Sequence, residues 1–450
     1  MVSRRTEELM AWDRKYLIHG FAVIGNEDIG PIIERAEGVR CWDTEGKAYF
    51  DAASQQTSNT LGHGQKDVID AICAQAQKLQ FAHLLGRQSN VPIIEFARDL
   101  ARVAPPGMAH FFFTNGGSEA VETTIKLARL YWHVQGKGKY KILSLQHSYH
   151  GAGLGSVAAT RAGSGAFWTG YAPLGAGFIQ VPHFYCYRCP FDLTYPSCGI
   201  LCARYVENII RAEDEGSVAG YIAEPVLGAA GNVAPPPEYF PIIRQICNDY
   251  QVLMIGDEVQ TGFGRTGKLW GRDHWNVDFD IMSTAKAIDA CYLPFGATFV
   301  SDRVFEGLKG TMLWHGFTQH GNPICAAAAK AALNLIIRDK LVENGEAVGN
   351  YVLERFKGQF SELPCVGEVG GLGMMLGLDL VKDKKSKTPF DAATIARLAR
   401  ETLERGLYVR TALAKGYARL RFNPPIITTR DEADQMLDIL YPALAELKFG

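Results

Sequence analysis

The chain has 450 residues, of which 47% are apolar and 21% charged, and its formal net charge is −2. This length suffices for one large domain with a smaller one, or for two domains of similar size. Acids and bases are mixed along the chain and no apolar run approaches the roughly 20 residues of a membrane span, so we expect neither nucleic acid nor a membrane as a partner. The N-terminus lacks the pattern of a secretion signal, and the cytoplasm is the expected location.

The order of helical and apolar segments predicts an α/β protein. Between residues 60 and 325, helical patterns alternate with short apolar runs, as in β-α-β units around a mostly parallel sheet. After Lys340, short strands and amphipathic helices predict a smaller α+β lobe, joined by an N-terminal hairpin around Trp42 and Tyr49. We therefore divide the chain into a large domain (60–325) and a small domain built from residues 1–59 and 326–450.

Hydrophobic periodicity and chain-breaking residues place the individual elements. The predicted helices cover residues 68–79, 91–103, 326–337, 346–360, 394–405 and 432–447, and another begins at Ser118. The predicted strands cover residues 110–114, 141–145, 219–224, 252–257, 280–285, 297–300, 408–410 and 420–422, with a further Gly-rich, strand-like segment at 370–380. Several strands end in a polar residue, at the edge where ligands of open α/β sheets bind.

Three strand ends carry residues that suit a flat, phosphorylated ligand. In Gly116-Gly117-Ser118, glycine lets backbone N–H groups approach a ligand and the following helix N-terminus favours an anion, although an ordinary capped helix has the same pattern. Tyr149 can stack on a flat ring, and Glu224 ends another buried strand with a carboxylate. Each of the two is also compatible with packing alone.

Four of the ten cysteines form a cluster with the spacing Cys186-x2-Cys189-x8-Cys198-x3-Cys202. Two thiol pairs resemble a tetrathiolate zinc site, but the gap between the pairs is short and no chemistry elsewhere needs a metal. The alternative is a compact surface excursion whose thiols pack or stay free. We predict no metal site for the chain.

A lysine and an aspartate end two successive apolar strands. Lys286 follows the strand at 280–285, and Asp257 ends the strand that begins at Val252. This pair suits pyridoxal 5'-phosphate (PLP), because the lysine can form a Schiff base while the acid keeps the pyridine nitrogen protonated. The alternative is an ordinary ion pair at the strand ends.

Together and in this order, these residues resemble the class III (ω-amino acid or amine:pyruvate) aminotransferases of PLP fold type I. The resemblance runs from Trp42 to Pro425 and is most specific at Gly256–Gly267 and at Gly316-Phe317-Thr318. It implies a large PLP-binding domain with a mostly parallel sheet flanked by helices, and a small α+β domain from both ends of the chain. It also implies a homodimer, or a dimer of dimers, with shared active sites.

The resemblance implies a role for each matching residue. Lys286 is the Schiff-base lysine and moves the proton, and Asp257 pairs with the pyridine nitrogen. The remaining cofactor-binding residues are Gly117 and Ser118 at the phosphate, Thr318 at the phosphate of the other subunit, Tyr149 and Val259 on the two ring faces, Gln260 near the ring hydroxyl, Glu224 on that side, and His150.

One segment departs from the family pattern. Family members follow the lysine with glycine and place another glycine four residues later, where this chain has Ala287 and Cys291. Because glycine alone adopts positive φ freely, we expect the loop after Lys286 to differ or to be strained.

The substrate side rests on an arginine that binds the acceptor carboxylate in the amine:pyruvate members. Arg410 is the matching position, a guanidinium grips a carboxylate through two hydrogen bonds, and Arg419 and Arg421 compete for the role. The alternative for Arg410 is a surface arginine on a strand edge. The donor side is expected to include Thr57, Phe81 and Arg87, and Arg87 suits the acidic tail of taurine or β-alanine.

The resemblance implies a transaminase that moves an amino group from an ω-amino acid or amine to a 2-oxo acid, with pyruvate as the expected acceptor. The mechanism is ping-pong through Lys286. Two alternatives stay open: another PLP reaction on the same fold (decarboxylase, mutase or racemase), and a catalytically impaired dimeric binding protein.

Overall fold

The computed structural model describes residues 2–25, 29–163 and 166–447. The strands in chain order are β1 (Ile33–Glu37), β2 (Arg40–Asp43), β3 (Ala48–Asp51), β4 (His110–Thr114), β5 (Lys141–Leu145), β6 (Phe178–Val181), β7 (Val218–Ala223), β8 (Leu253–Asp257), β9 (Ile281–Thr284), β10 (Gly296–Val300), β11 (Val366–Leu372), β12 (Met375–Asp383), β13 (Thr388–Pro389), β14 (Leu407–Tyr408), β15 (Arg410–Ala414) and β16 (Tyr417–Phe422).

The helices in chain order are α1 (Arg4–Tyr16), α2 (Ser54–Thr57), α3 (Lys66–Lys78), α4 (Val91–Ala101), α5 (Gly117–Val134), α6 (Leu154–Ala159), α7 (Ala166–Thr169), α8 (Leu201–Ala212), α9 (Tyr239–Asp249), α10 (Asp302–Leu308), α11 (Pro323–Arg338), α12 (Leu341–Gly358), α13 (Ala392–Glu404) and α14 (Arg430–Ala445). Short 3₁₀ turns include Cys186–Arg188 and Lys286–Ile288. None of the helices within the described ranges is long and apolar enough to cross a membrane.

The largest sheet has the strand order β4-β10-β9-β8-β7-β5-β6. Neighbours from β9 to β6 are parallel, and β10 runs antiparallel to both β9 and β4. Every residue of β7 and β8 is buried, because helices such as α5 and α9 pack on the sheet. Continuously apolar strands are what a sheet covered on both faces requires, so the predicted α/β class with a mostly parallel sheet is confirmed.

Two smaller sheets are built from the ends of the chain. The first has the order β1-β2-β3-β14, in which Leu407 lies opposite Phe50 and so ties the C-terminal segment to the N-terminal hairpin. The second has the order β11-β12-β16-β15 and is antiparallel. Both agree with the expected α+β lobe, whereas the domain boundaries stay a prediction, with residue 325 lying near the start of α11.

Most elements lie within a few residues of their predicted positions. The strand predicted at 219–224 is Val218–Ala223, and the helix predicted at 326–337 extends over Pro323–Arg338. The elements that the sequence analysis did not predict include α1, α8, α9, α10 and β6. Only Val181 of Phe178–Val181 is buried, so no continuous apolar pattern marks this strand, and pairing with β5 defines it.

Candidate active site

A cavity of about 630 Å³ lies at the carboxyl ends of the parallel strands and is closed by β15 and β16. This volume is ordinary for a cofactor and a small substrate. Its walls include Asn115, Gly116, Gly117, Ser118, Tyr149, His150, Glu224, Asp257, Val259, Gln260, Lys286, Cys291, Arg410 and Arg421. Residues that are far apart in sequence therefore share one site, as expected for the C-terminal edge of an open sheet.

Lys286 enters the cavity directly after β9. Its backbone has φ of 48°, a conformation that non-glycine residues rarely adopt. Burial lowers the pKa of its ammonium to about 8, against the opposing effect of the Asp257 carboxylate. More of the amine is therefore uncharged near neutral pH than in an exposed lysine, and the uncharged amine is the form that attacks an aldehyde.

Asp257 ends β8 beside β9, with Ser283 as its partner in the parallel register. Its Oδ2 accepts a hydrogen bond from Nδ1 of His150 at 2.7 Å, and its Oδ1 accepts from the backbone N–H of Val259 at 3.1 Å and from the Ser283 hydroxyl at 3.2 Å. These three bonds hold the carboxyl group in one orientation. The cavity therefore contains a fixed acidic group, suited to pairing with a protonated ring nitrogen.

Glu224 fastens the wall on which Tyr149 lies. Oε1 accepts the Tyr149 N–H at 2.8 Å and Oε2 accepts the Gly228 N–H at 3.0 Å. Burial raises the pKa of Glu224 to about 7, and the neighbouring His150 and these two bonds act in the opposite direction. The carboxyl group thus orients the aromatic ring and the loop at Gly228.

The turn into α5 has room for a phosphate because it lacks side chains. A Cβ on Gly117 would lie 2.8 Å from Cγ1 of Val259, so no other residue fits there without movement. The Ser118 hydroxyl accepts the N–H of Ala152 at 3.1 Å, which fixes it at the rim. An 18-residue helix that begins here presents N–H groups and a partial positive charge to an anion. Together with Lys286 and Asp257, this turn fits PLP.

Two of the three candidate arginines reach the cavity, and one does not. Arg410 and Arg421 line it, and Arg421 donates to the Thr57 hydroxyl at 2.7 Å and to Oε1 of Gln260 at 3.2 Å. Arg419 is buried elsewhere, where it pairs with Glu368 at 2.7 Å. Arg419 is therefore engaged in a structural ion pair, and the competition reduces to Arg410 and Arg421.

Four predicted residues do not line this cavity within a single chain. Thr57 is buried behind the wall, where its hydroxyl accepts from Arg421. Thr318, Phe81 and Arg87 are all exposed, and the roles of all four stay predictions. Conversely, sequence reasoning missed Phe21, whose ring centroid lies 6.4 Å from that of Tyr149, and Gln56, to which Arg410 donates a hydrogen bond. No local pattern marks these two residues, because only the tertiary fold brings the N-terminal segment to the cavity.

The loop after Lys286 has two non-glycine residues where the family pattern has glycine. One of them, Ala287, has an ordinary conformation, and the other, Cys291, has a strained one. Ala287 lies in the 3₁₀ turn Lys286–Ile288 and is not among the residues with positive φ. Ala290 and Cys291 have φ of 54° and 58°. The expected strain is therefore present at Cys291, and it extends to Ala290, which the family comparison had not singled out.

The four clustered cysteines line one small cavity of about 20 Å³. Burial raises the pKa of Cys186 to about 11 and that of Cys202 to about 12, which disfavours the thiolate form that metals bind. Within the described ranges, no three His, Cys, Asp or Glu side chains are placed to hold a metal ion. That this cluster binds no metal remains a prediction.

Comparison with known proteins agrees with this geometry. Residues 24–444 match the family Aminotransferase class-III. The chain is 32% identical to the putrescine–pyruvate aminotransferase of Pseudomonas aeruginosa over 98% of this chain and 96% of the relative. It is 33% identical to the diaminobutyrate–2-oxoglutarate transaminase of Halomonas elongata over 96% and 94%, respectively.

Solved structures give the same result. A thermostable (S)-enantioselective omega-transaminase from Thermomicrobium roseum superposes with a TM-score of 0.93 at 34% identity, over 99% of this chain and 100% of that chain. An amine transaminase from an uncultivated Pseudomonas species, solved in its PLP-bound form, superposes with a TM-score of 0.91 at 33% identity, over 96% and 99%. The chain belongs to the class III aminotransferases and is a PLP-dependent enzyme that transfers amino groups.

Proposed function

We propose that this enzyme moves an amino group from an ω-amino acid or amine to a 2-oxo acid, with pyruvate as the acceptor, in a ping-pong reaction through Lys286. The observation that carries the proposal is the shared cavity, in which Lys286, Asp257 and the phosphate-sized turn at Gly117 meet. An amine-donor panel assayed with pyruvate and with 2-oxoglutarate tests it. Failure of every amine to convert the bound cofactor to its amino form would contradict it.

Each cavity residue then has a distinct task. Bound PLP supplies an electron sink for the carbon that loses its proton. Lys286 binds the cofactor and then moves that proton, and Asp257 holds the ring nitrogen in its protonated form. The others are proposed to position the cofactor: Gly117 and Ser118 at the phosphate, Tyr149 and Val259 on the ring faces, and His150, Glu224 and Gln260 around the ring.

Arg410 and Arg421 support a substrate with at least one carboxylate. The two residues lie directly opposite each other in the antiparallel pair of β15 and β16, where like charges destabilise the sheet. Burial lowers the pKa of Arg421 to about 10, and Arg410 adds to that effect, yet the Arg421 guanidinium stays charged near neutral pH. An anion bound between them would relieve the repulsion, which favours a 2-oxo acid in this part of the cavity.

We expect Arg410→Ala to impair the acceptor half-reaction selectively. A charge-assisted bidentate contact contributes about 1.5–3 kcal/mol, so the KM for pyruvate should rise roughly tenfold to 150-fold. The half-reaction with an amine that carries no carboxylate should change little, whereas taurine and β-alanine should be affected through their acidic ends. Steady-state kinetics of the two half-reactions measure the difference.

Two further variants show which arginine is responsible. Arg397→Ala removes an exposed guanidinium from helix α13 and should leave both half-reactions unchanged. If Arg421→Ala shows the pyruvate-selective defect and Arg410→Ala does not, Arg421 is the acceptor-binding residue instead. A larger loss for 2-oxoglutarate than for pyruvate in both variants would indicate that each arginine binds one carboxylate of a dicarboxylate.

We further propose a homodimer in which Thr318 completes the phosphate site of the neighbouring subunit. Thr318 is exposed and does not line the cavity of its own chain, and nearby Trp314 is 85% exposed. Met312 in the same segment is 63% exposed, and large apolar side chains grouped on a surface are typical of one that another protein covers. Phe81 and Arg87 are exposed as well and are proposed to enter the substrate pocket from the same interface.

The dimer proposal predicts that dilution releases the cofactor. When the enzyme is diluted below the dissociation constant of the dimer, PLP absorbance should be lost together with dimer mass, because each phosphate site loses one of its residues. Light scattering coupled to absorbance follows both quantities. A monomer that keeps PLP and full activity would refute the shared site.

A further inference from the structure

The loop that follows Lys286 holds an unusual combination of residues. Lys286, Ala290 and Cys291 all have positive φ, between 48° and 58°, although none is glycine. An L side chain at positive φ brings Cβ close to its own backbone, so each of these residues is strained. Surrounding contacts must therefore hold the loop in this shape.

A buried carboxyl group lies in the middle of the same loop. Asp289 is 1% exposed, and within the described residues no lysine, arginine or histidine forms an ion pair with it. Its Oδ1 accepts the N–H of Cys291 at 3.0 Å, and its Oδ2 accepts the N–H of Leu293 at 3.0 Å. Burial raises the pKa of the carboxyl group to about 8, and the two N–H donors oppose that rise.

These bonds connect the carboxyl group to the backbone of the lysine. The N–H of Cys291 is shared between Oδ1 of Asp289 and the carbonyl oxygen of Lys286, which it approaches to 3.0 Å. The turn closes further where the N–H of Tyr292 donates to the carbonyl oxygen of Asp289 at 3.2 Å. Burying a carboxyl group without a cation partner costs free energy. Such a residue is retained only where the hydrogen bonds that it makes are needed.

We propose that Asp289 is a positioning residue for the transamination reaction: its carboxyl group holds Ala290 and Cys291 in the left-handed conformation and so fixes the backbone from which the Lys286 amine reaches the cofactor. Glycine at those two positions would need no such hold, because it adopts positive φ freely. The hydrogen bonds of Asp289 would thus offset the strain of Ala290 and Cys291 in a conformation that favours glycine. The proposal rests on Lys286 being the cofactor lysine.

The test is a double-mutant cycle between the acid and the strained residues. Asp289→Ala is made in the natural chain and in the Ala290→Gly/Cys291→Gly chain, and PLP is removed and titrated back to measure its dissociation constant. In the natural chain, loss of two hydrogen bonds to the loop should weaken PLP binding by about tenfold or more. In the glycine chain the same change should weaken it by less than about threefold, because the strain is gone.

Catalytic constants and a control variant distinguish a role of Asp289 in positioning Lys286 from an effect on the overall stability of the protein. We expect kcat to fall with Asp289→Ala in the natural chain while the KM of the amine changes little. Asp391→Ala removes a comparable contact, the N-cap of α13 that accepts the Thr394 N–H at 2.9 Å, and should lower the melting temperature without changing PLP affinity. Equal losses in both backgrounds, or no loss in either, would overturn the proposal.

Two further measurements cover the cases in which Asp289→Ala does not fold or Lys286 is not the cofactor lysine. If Asp289→Ala does not fold, Asp289→Asn has the same size with one acceptor fewer and is judged by the same comparison. If reduction with borohydride leaves the cofactor on a lysine other than Lys286, the proposed function fails. A background-dependent change in the apoenzyme melting temperature would then still show that Asp289 holds the loop.

Discussion

Lys286→Ala should abolish transamination, because Lys286 is the one lysine among the described residues that line the cavity, and it is proposed both to bind the cofactor covalently and to move the proton. The variant should still bind PLP through the phosphate turn and Asp257, with lower affinity. After borohydride reduction, mass spectrometry should find the cofactor on Lys286 in the natural enzyme and on no peptide of the variant. An adduct on a different lysine would contradict the assignment.

The pH dependence of reconstitution provides a second measurement on the same residue. Burial lowers the pKa of Lys286 to about 8, and only the uncharged amine attacks the aldehyde. The rate at which the apoenzyme captures PLP should therefore rise with pH through about 8 and level off above it. An inflection near the ordinary lysine value of about 10.4 would show that the amine is not buried as described.

Asp257→Asn should lower the catalytic rate by about 10²-fold or more, the effect of removing a well-placed electrostatic partner. The amide keeps the shape of the side chain but removes the charge that favours a protonated ring nitrogen. It also leaves Nδ1 of His150, now 2.7 Å from a carboxylate oxygen, without its ionised acceptor. Single-turnover rates with a saturating amine measure the loss.

Ser283→Ala is the matched control for Asp257. It removes one neutral hydrogen bond to Oδ1 and leaves the carboxylate in place, so the rate should fall by less than about tenfold. A near-normal rate in Asp257→Asn, or an equal loss in both variants, would show that the charge is not the important property.

The elements with continuous or periodic apolar patterns were predictable, because the burial of each one is visible in its own stretch of sequence. Every residue of β7 and β8 is buried, so the apolar runs that end in Glu224 and Asp257 could be recognised without the fold. The turn at Gly117 could be placed because glycines mark the change from strand to helix, although an ordinary helix cap has the same pattern. The class III pattern then connected these positions to PLP.

Other features depended on contacts between distant segments. The choice between Arg419 and Arg421 could not be made from the sequence, since both lie in β16; the structure shows one paired with Glu368 and the other in the cavity beside Thr57. Gln56 and Phe21 enter the site from the N-terminal segment, with no periodic pattern to mark them.

The sequence by itself indicated the family, and through that resemblance the cofactor with the lysine and aspartate proposed to serve it, because the motifs that carry the resemblance are local in sequence. The tertiary structure decided which arginines lie in the cavity and which backbone groups the buried Asp289 contacts. Opposing arginines arise from the register of β15 with β16, and the hold of Asp289 on Cys291 arises from a buried turn. Both features depend on how distant backbone segments pair and on which groups become buried, and a local sequence pattern does not predict either.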